Sequence, residues 1–225
     1  MEYIVLDLEF NQDFTLAESR KACRSCFEII QIGAVKLDGD LNETGKLRRF
    51  IKPVIYPEIN PFVTELTGIT TQQLGSEEFF PEVYKEFVRF AGGSDTVFCV
   101  WGMADMKELY RNIEYHKLDS KLLSKRYINL QPYAALHFKL SQKKLLKLKT
   151  AAEMLDIPLA YEFHDALSDA LYTAAIFRKI NADSIRSKRY DPDKDAVRWN
   201  KTRPKIDFEG LVLQFEKMYF RKLTE

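Results

Sequence analysis

The sequence predicts an α/β layered domain, a central mixed β-sheet flanked by helices in three layers. Three observations predict it. Strand-like stretches crowd the first fifty residues, helical periodicity takes over near residue 60, and short β-rich runs then recur between helices.

Taken in order, Tyr3 to Phe10 reads as a buried strand, rich in Val, Ile and Leu. A polar loop from Asn11 to Ser25 follows, kept at the surface by Arg20, Lys21 and Arg24. Phe27 to Leu37 is a second strand, ended by the Asp38-Gly39-Asp40 turn, and Leu47 to Lys52 pairs back as a third. Asn60-Pro61 starts a short helix that runs to Leu66 and stops at Thr67-Gly68. Phe79, Phe80, Val83, Phe87 and Phe90 trace one face of a helix that Gly92-Gly93 ends. A short buried strand at Thr96 to Trp101, a helix from Met103 to His116 and a strand at Tyr127 to Leu130 come next. Gln131 to Phe138, Leu145 to Leu155 and Asp165 to Asn181 then read as helices. Ser184 to Lys205 turns charged and proline-containing, as a linker would, and Ile206 to Leu223 regains helical spacing. The expected division is a main domain over 1–182 and a C-terminal arm and helix over 183–225, docked on it.

At 225 residues the chain suffices for one sizeable core and is thin for two. Its 46% hydrophobic and 30% charged content is that of a globular protein, which excludes a disordered or fibrous chain. The N-terminus lacks the basic start and long apolar run of a signal peptide, and no run of about eighteen apolar residues suggests a membrane span. A cytoplasmic protein with no membrane partner is expected. Cys23 and Cys26 form a CxxC with no second pair and no histidine at metal-ligand spacing, so a flexible loop is expected there rather than zinc. The net charge of +1 announces no polyanionic partner, although Lys139, Lys143, Lys144, Lys147 and Lys149 form an acid-free stretch. That stretch fits a solvated helix face or a phosphate-tracking surface.

Chemistry gathers elsewhere. Asp7 and Glu9 sit at i and i+2 on the first strand, so both carboxylates leave the same face. Two like charges in an apolar strand repel unless a cation lies between them, and hard divalent cations prefer such oxygens; solvated acids at a strand edge are the other reading of the pair. Asp105 follows the Thr96 to Trp101 strand, at the carboxyl end where open α/β sheets bind ligands. Asp169 falls in the first turns of the last long helix, and His164 in the loop before it. A histidine beside carboxylates suits a general base, because its ordinary pKa is near neutrality. Ala166, Ala170 and Ala174 make a small-residue stripe that lets this helix pack closely on the sheet.

The order Asp7-x-Glu9, Asp105, His164-x4-Asp169 resembles the DEDDh branch of the DnaQ-like 3′–5′ exonuclease superfamily. FEIIQIGAVKL (27–37), ELTGIT (65–70), WGMAD (101–105) and HDALSDA (164–170) are similar to its motif segments, covering roughly residues 1–182. Within it, NPFVTELTGIT and WGMAD look most like KapD and the exonucleases that trim small RNAs and histone-mRNA ends.

The resemblance implies a ribonuclease H-like fold and two Mg²⁺ or Mn²⁺ ions held by Asp7, Glu9, Asp105 and Asp169, with His164 as general base. It implies removal of nucleoside 5′-monophosphates from single-stranded 3′ ends, RNA favoured over DNA. Glu9 and the backbone around Phe10 would meet the terminal 3′-OH, and Leu66 or Ile69 would wedge against the last base; plain core packing is the other reading of Phe10, Leu66 and Ile69. Two alternatives stay open: a DNA-directed proofreading or repair exonuclease, and a domain of this class that binds nucleic acid or protein without cutting.

Overall fold

The structure is a computed structural model that describes residues 1–12, 27–93, 95–141, 145–180 and 185–194. Most of the expected 11–25 loop with its CxxC, Lys143, Lys144 and the expected helix at 206–223 lie outside the described residues. Contacts divide the chain into a unit Met1–Tyr190 and a unit Asp191–Glu225, the second described only over 191–194.

Six strands build one mixed sheet: β1 (Tyr3–Asn11), β2 (Glu28–Leu37), β3 (Glu43–Phe50), β4 (Val97–Val100), β5 (Arg126–Asn129) and β6 (Lys188–Arg189). Their order is β3-β2-β1-β4-β5-β6. β1 pairs antiparallel with β2 and parallel with β4, so it stands where the sheet changes sense. The helices are α1 (Pro61–Thr67), α2 (Thr71–Leu74), α3 (Phe80–Ala91), α4 (Ala104–Tyr115), α5 (Gln131–His137), α6 (Leu148–Met154) and α7 (Ala166–Ile180).

Strand alternation sends Ile4, Leu6 and Leu8 into a core with Phe87 of α3 and Met106 and Leu109 of α4. Val5, on the other phase, enters a second core with Ala151 of α6 and Ala170, Ala174 and Phe177 of α7. A third cluster of Ile30, Ile59, Val63, Ile69 and Leu74 lies around α1 and α2. The predicted three-layer architecture stands. Two differences are instructive. α2, capped by the Thr70 hydroxyl on Gln73 N–H, falls in a stretch with no predicted element. Residues 188–189, expected in a linker, instead close the sheet by pairing with β5.

α7 crosses the sheet at Gly33, where a Cβ would fall on the backbone of Ala166 and Leu167. Ala166, Ala170 and Ala174 are wholly buried, so the predicted stripe makes this close approach. Gly33 is the partner of Asp7 in the β1–β2 register. The missing side chain therefore brings the α7 N-terminus down beside the first carboxylate.

Candidate active site

Asp7 and Glu9 leave β1 on the α7 side of the sheet. β4 pairs only with Tyr3 to Val5, so β1 runs past it and its next backbone groups lack a strand partner on that edge. Asp105, in the first turn of α4, fills the gap: its carboxylate accepts from the Leu8 N–H and from its own N–H. A helix from one face thus meets a strand whose acids belong to the other face. The β1–β2 register shifts between Glu9 and Phe10, where Asn112 of α4 serves the local backbone. Its side chain accepts from Ile29 N–H (3.3 Å) and donates to the Phe27 carbonyl (3.1 Å).

α7 supplies the rest. Asp169 is buried; its Oδ2 accepts from the His164 N–H (3.3 Å), while its Oδ1 has no hydrogen-bond partner among the described residues. His164 is half-buried and has φ +66°, in the left-handed region that a non-glycine residue adopts only when its surroundings hold it there. One ligand-type atom from each of Glu9, His164 and Asp169 lies within 4.8 Å of the others. Asp7 and Asp105 stand outside that trio, yet their charges act on each other and on its acids.

Burial, ahead of mutual repulsion, raises all four carboxyls. Asp7 is held well above the usual carboxylate range, Glu9 is pushed up to about 8, Asp105 to about 7 and Asp169 to about 6. In Asp105 and Asp169 the donated backbone N–H groups oppose the rise. Four crowded acids and a buried carboxylate oxygen with no donor fit bound divalent cations. Asp7, Glu9, Asp105 and Asp169 are the residues that could hold them, with His164 at the rim.

Three residues that the motifs did not single out hold the α7 end in place. Asp165 precedes α7; its Oδ1 accepts from Ser168 N–H (3.1 Å), an N-cap bond, and its Oδ2 from Gln31 Nε2 (2.7 Å) and from Arg48 Nη2 (2.6 Å). Arg48 lies on the Phe50 ring, 4.6 Å from its centroid. Gln31, opposite Glu9 in register, also accepts from the Ala166 N–H (3.0 Å). These donors lower the Asp165 carboxyl although burial opposes them. A signal for Asp165 was available: an Asp three residues before Ser168 at a helix start is a capping pattern.

The residues expected to contact substrate diverge. Phe10 and Leu66 are half-buried, and Phe10 leans on Phe27 with ring centroids 5.8 Å apart. Ile69, expected as an alternative wedge, is 3% exposed inside the third apolar cluster, because the chain turns inward between α1 and α2. Its side chain is core.

Acidic side chains beside the strand where the sheet changes sense, with a histidine at the rim, form a site that could hold divalent cations. Residues 4–177 match the exonuclease family RNase_T, and the chain belongs to that family. The expected enzyme class therefore stands: an exonuclease, hydrolysing phosphodiester bonds. A DNA polymerase III of PolC type from Caldanaerobacter subterraneus subsp. tengcongensis is 34% identical over 164 residues, 68% of this chain. The match spans only 10% of that polymerase. Among solved structures, the nuclease domain of 3′hExo, a DEDDh family member bound to rAMP, superposes with TM-score 0.71 at 22% identity, covering 84% of this chain and 97% of that one. Escherichia coli exonuclease I in complex with a dT13 oligonucleotide superposes with TM-score 0.62 at 17% identity, covering 80% and 41%. These likenesses agree with the ribonuclease H-like sheet order. No helix among the described residues is long and apolar enough to cross a membrane.

Proposed function

We propose that this protein is a two-metal-ion 3′–5′ exonuclease that releases nucleoside 5′-monophosphates from single-stranded ends, RNA favoured over DNA, in the cytoplasm. The observation that carries it is the buried cluster of four raised carboxyls, one with an oxygen that has no donor among the described residues, beside a histidine held in a strained backbone conformation. In this reading the catalytic domain runs from residue 1 through β6 to Tyr190, past the expected boundary at 182.

Asp7, Glu9 and Asp169 would hold one Mg²⁺ or Mn²⁺, and Asp7 with Asp105 the second. The cations would supply a lowered pKa for the attacking water and neutralisation of the leaving 3′ oxygen. His164 takes the water's proton at an imidazole nitrogen. Glu9 and the backbone near Phe10 orient the terminal 3′-OH, and Leu66 wedges against the last base without reading its identity.

Preference for RNA rests on the motif likeness to KapD and to exonucleases that trim small RNAs. A second reading, a DNA-directed exonuclease, is favoured by the identity to the PolC-type DNA polymerase. The test is a denaturing-gel time course on 5′-labelled single-stranded RNA and DNA with Mg²⁺, Mn²⁺ or EDTA, beside Asp169→Ala. A ladder shortening from the 3′ end, present with metal and absent in the variant, is expected, with RNA the faster polymer. Faster DNA would select the second reading. Uncut polymers that still bind would overturn the enzyme's assignment as a 3′–5′ exonuclease on these ends.

A further inference from the structure

His164 needs something to hold its strained backbone in place, and the Asp169 bond is not the only restraint on its loop. Tyr172 lies one helical turn beyond Asp169 on α7 and is 2% exposed. Its hydroxyl reaches out of the core to the loop that carries His164. The Tyr161 N–H donates to the Tyr172 hydroxyl oxygen (2.8 Å), and that hydroxyl donates to the Tyr161 carbonyl (2.7 Å). One phenol oxygen thus grips both backbone groups of one residue. Phe163, directly before His164, stacks flat on the Tyr172 ring, with centroids 4.6 Å apart and planes 14° apart. Tyr161 adds an edge contact at 6.0 Å.

Resting on the reading of His164 as general base, we propose that Tyr172 is a positioning residue that fixes the 161–164 loop to α7 and so presents His164 to the acidic cluster. The physical logic is that of a shared rigid frame. Asp169 and Tyr172 face the same side of α7, three residues apart, so the carboxylate and the anchor move together. The loop is attached at Tyr161 through the phenol, at Phe163 through the stacked ring and at His164 through Asp169. A left-handed residue persists only where surrounding contacts over-determine it, and these three attachments do so. Loosening the first frees the backbone of His164 to relax toward negative φ, which carries the imidazole away from the attacking water. A displacement of about 1 Å in a catalytic group costs up to about a hundredfold in rate.

The test uses Tyr172→Phe, which keeps the ring and its stacking and removes only the hydroxyl. Tyr161 is 51% exposed, so water can serve its backbone groups and the fold is expected to survive. Phe163→Leu is the second variant; it removes the stack and leaves the phenol bonds. Each is compared with wild type, His164→Ala and the double variants for kcat and KM on the preferred oligonucleotide. Hydrogen exchange at the Tyr161 and His164 amides is measured in metal-free protein.

Both substitutions are expected to lower kcat about tenfold or more, leave KM within about twofold and speed exchange at these amides. In the His164→Ala background neither is expected to lower kcat further. An equal additional loss there would mark a general structural role and overturn the proposal, as would wild-type kcat or unchanged exchange in Tyr172→Phe. Undiminished kcat in His164→Ala itself would remove the general-base reading and the proposal with it. An impaired His164→Ala beside an unimpaired Tyr172→Phe removes the proposal alone.

Discussion

The acidic cluster couples stability to pH in a direction opposite to that of ordinary surface carboxylates. A free carboxyl loses its proton near pH 4. In the folded protein burial keeps Glu9 protonated up to about 8, Asp105 up to about 7 and Asp169 up to about 6. Between those limits the unfolded chain binds fewer protons than the folded one, so stability falls as pH rises. One pKa unit corresponds to about 1.4 kcal/mol. Glu9 alone should then remove roughly 3 kcal/mol between about pH 5.5 and about pH 8, which for a chain of this size lowers Tm by about 6–12 °C. Asp105 and Asp169 act in the same sense. Divalent cations bind the ionised form, so their stabilisation should grow with pH. The assay is thermal unfolding across that range, in EDTA and in Mg²⁺. Glu9→Gln is the control: in EDTA at about pH 8 it should be more stable than wild type, although inactive. A Tm in EDTA that is flat across the range, or a Glu9→Gln variant less stable than wild type at high pH, would refute the reasoning.

Four further outcomes follow from the contacts. Gly33→Ala places a methyl on the α7 backbone; we expect a loss of at least about 3 kcal/mol, read by denaturant unfolding, and activity down about a hundredfold. Asp165→Asn keeps an N-cap acceptor and touches no metal in the proposed site, so kcat should stay within about tenfold of wild type, whereas Asp169→Asn should lose about a hundredfold or more. Asp105→Asn should raise the Mg²⁺ concentration needed for half-maximal rate by about tenfold or more, measured by metal titration. Glu28 is buried and its carboxylate accepts from the N–H groups of Val54, Ile55 and Tyr56; Glu28→Ala should cost about 2–4 kcal/mol in chemical denaturation and loosen the chain leading into α1.

The candidate site residues were legible because their signals are local. Asp7 and Glu9 share a face by the period of a strand, and Asp105 and Asp169 sit at helix starts that glycine, strand and loop patterns mark. The alanine stripe of α7 announced a close packing that Gly33 completes. Short or edge elements were harder. β6 has two residues and no period, α2 has four, and β3 begins at Glu43 among polar side chains that an edge strand can leave in water. Ile69 shows the limit for single apolar residues, since a wedge and a core side chain have the same composition.

From the sequence by itself came the α/β class, the five residues of the constellation and their order along the chain. Which of them meet was a tertiary decision. β4 pairs with β1 only as far as Val5 and leaves an edge for Asp105, and Gly33 lets α7 descend. Gln31, Arg48 and Tyr172 then hold its N-terminus and the His164 loop, through contacts joining residues as far apart as Gln31 and Asp165. Such contacts depend on distances between elements rather than on spacing within one, and a linear pattern carries only the latter.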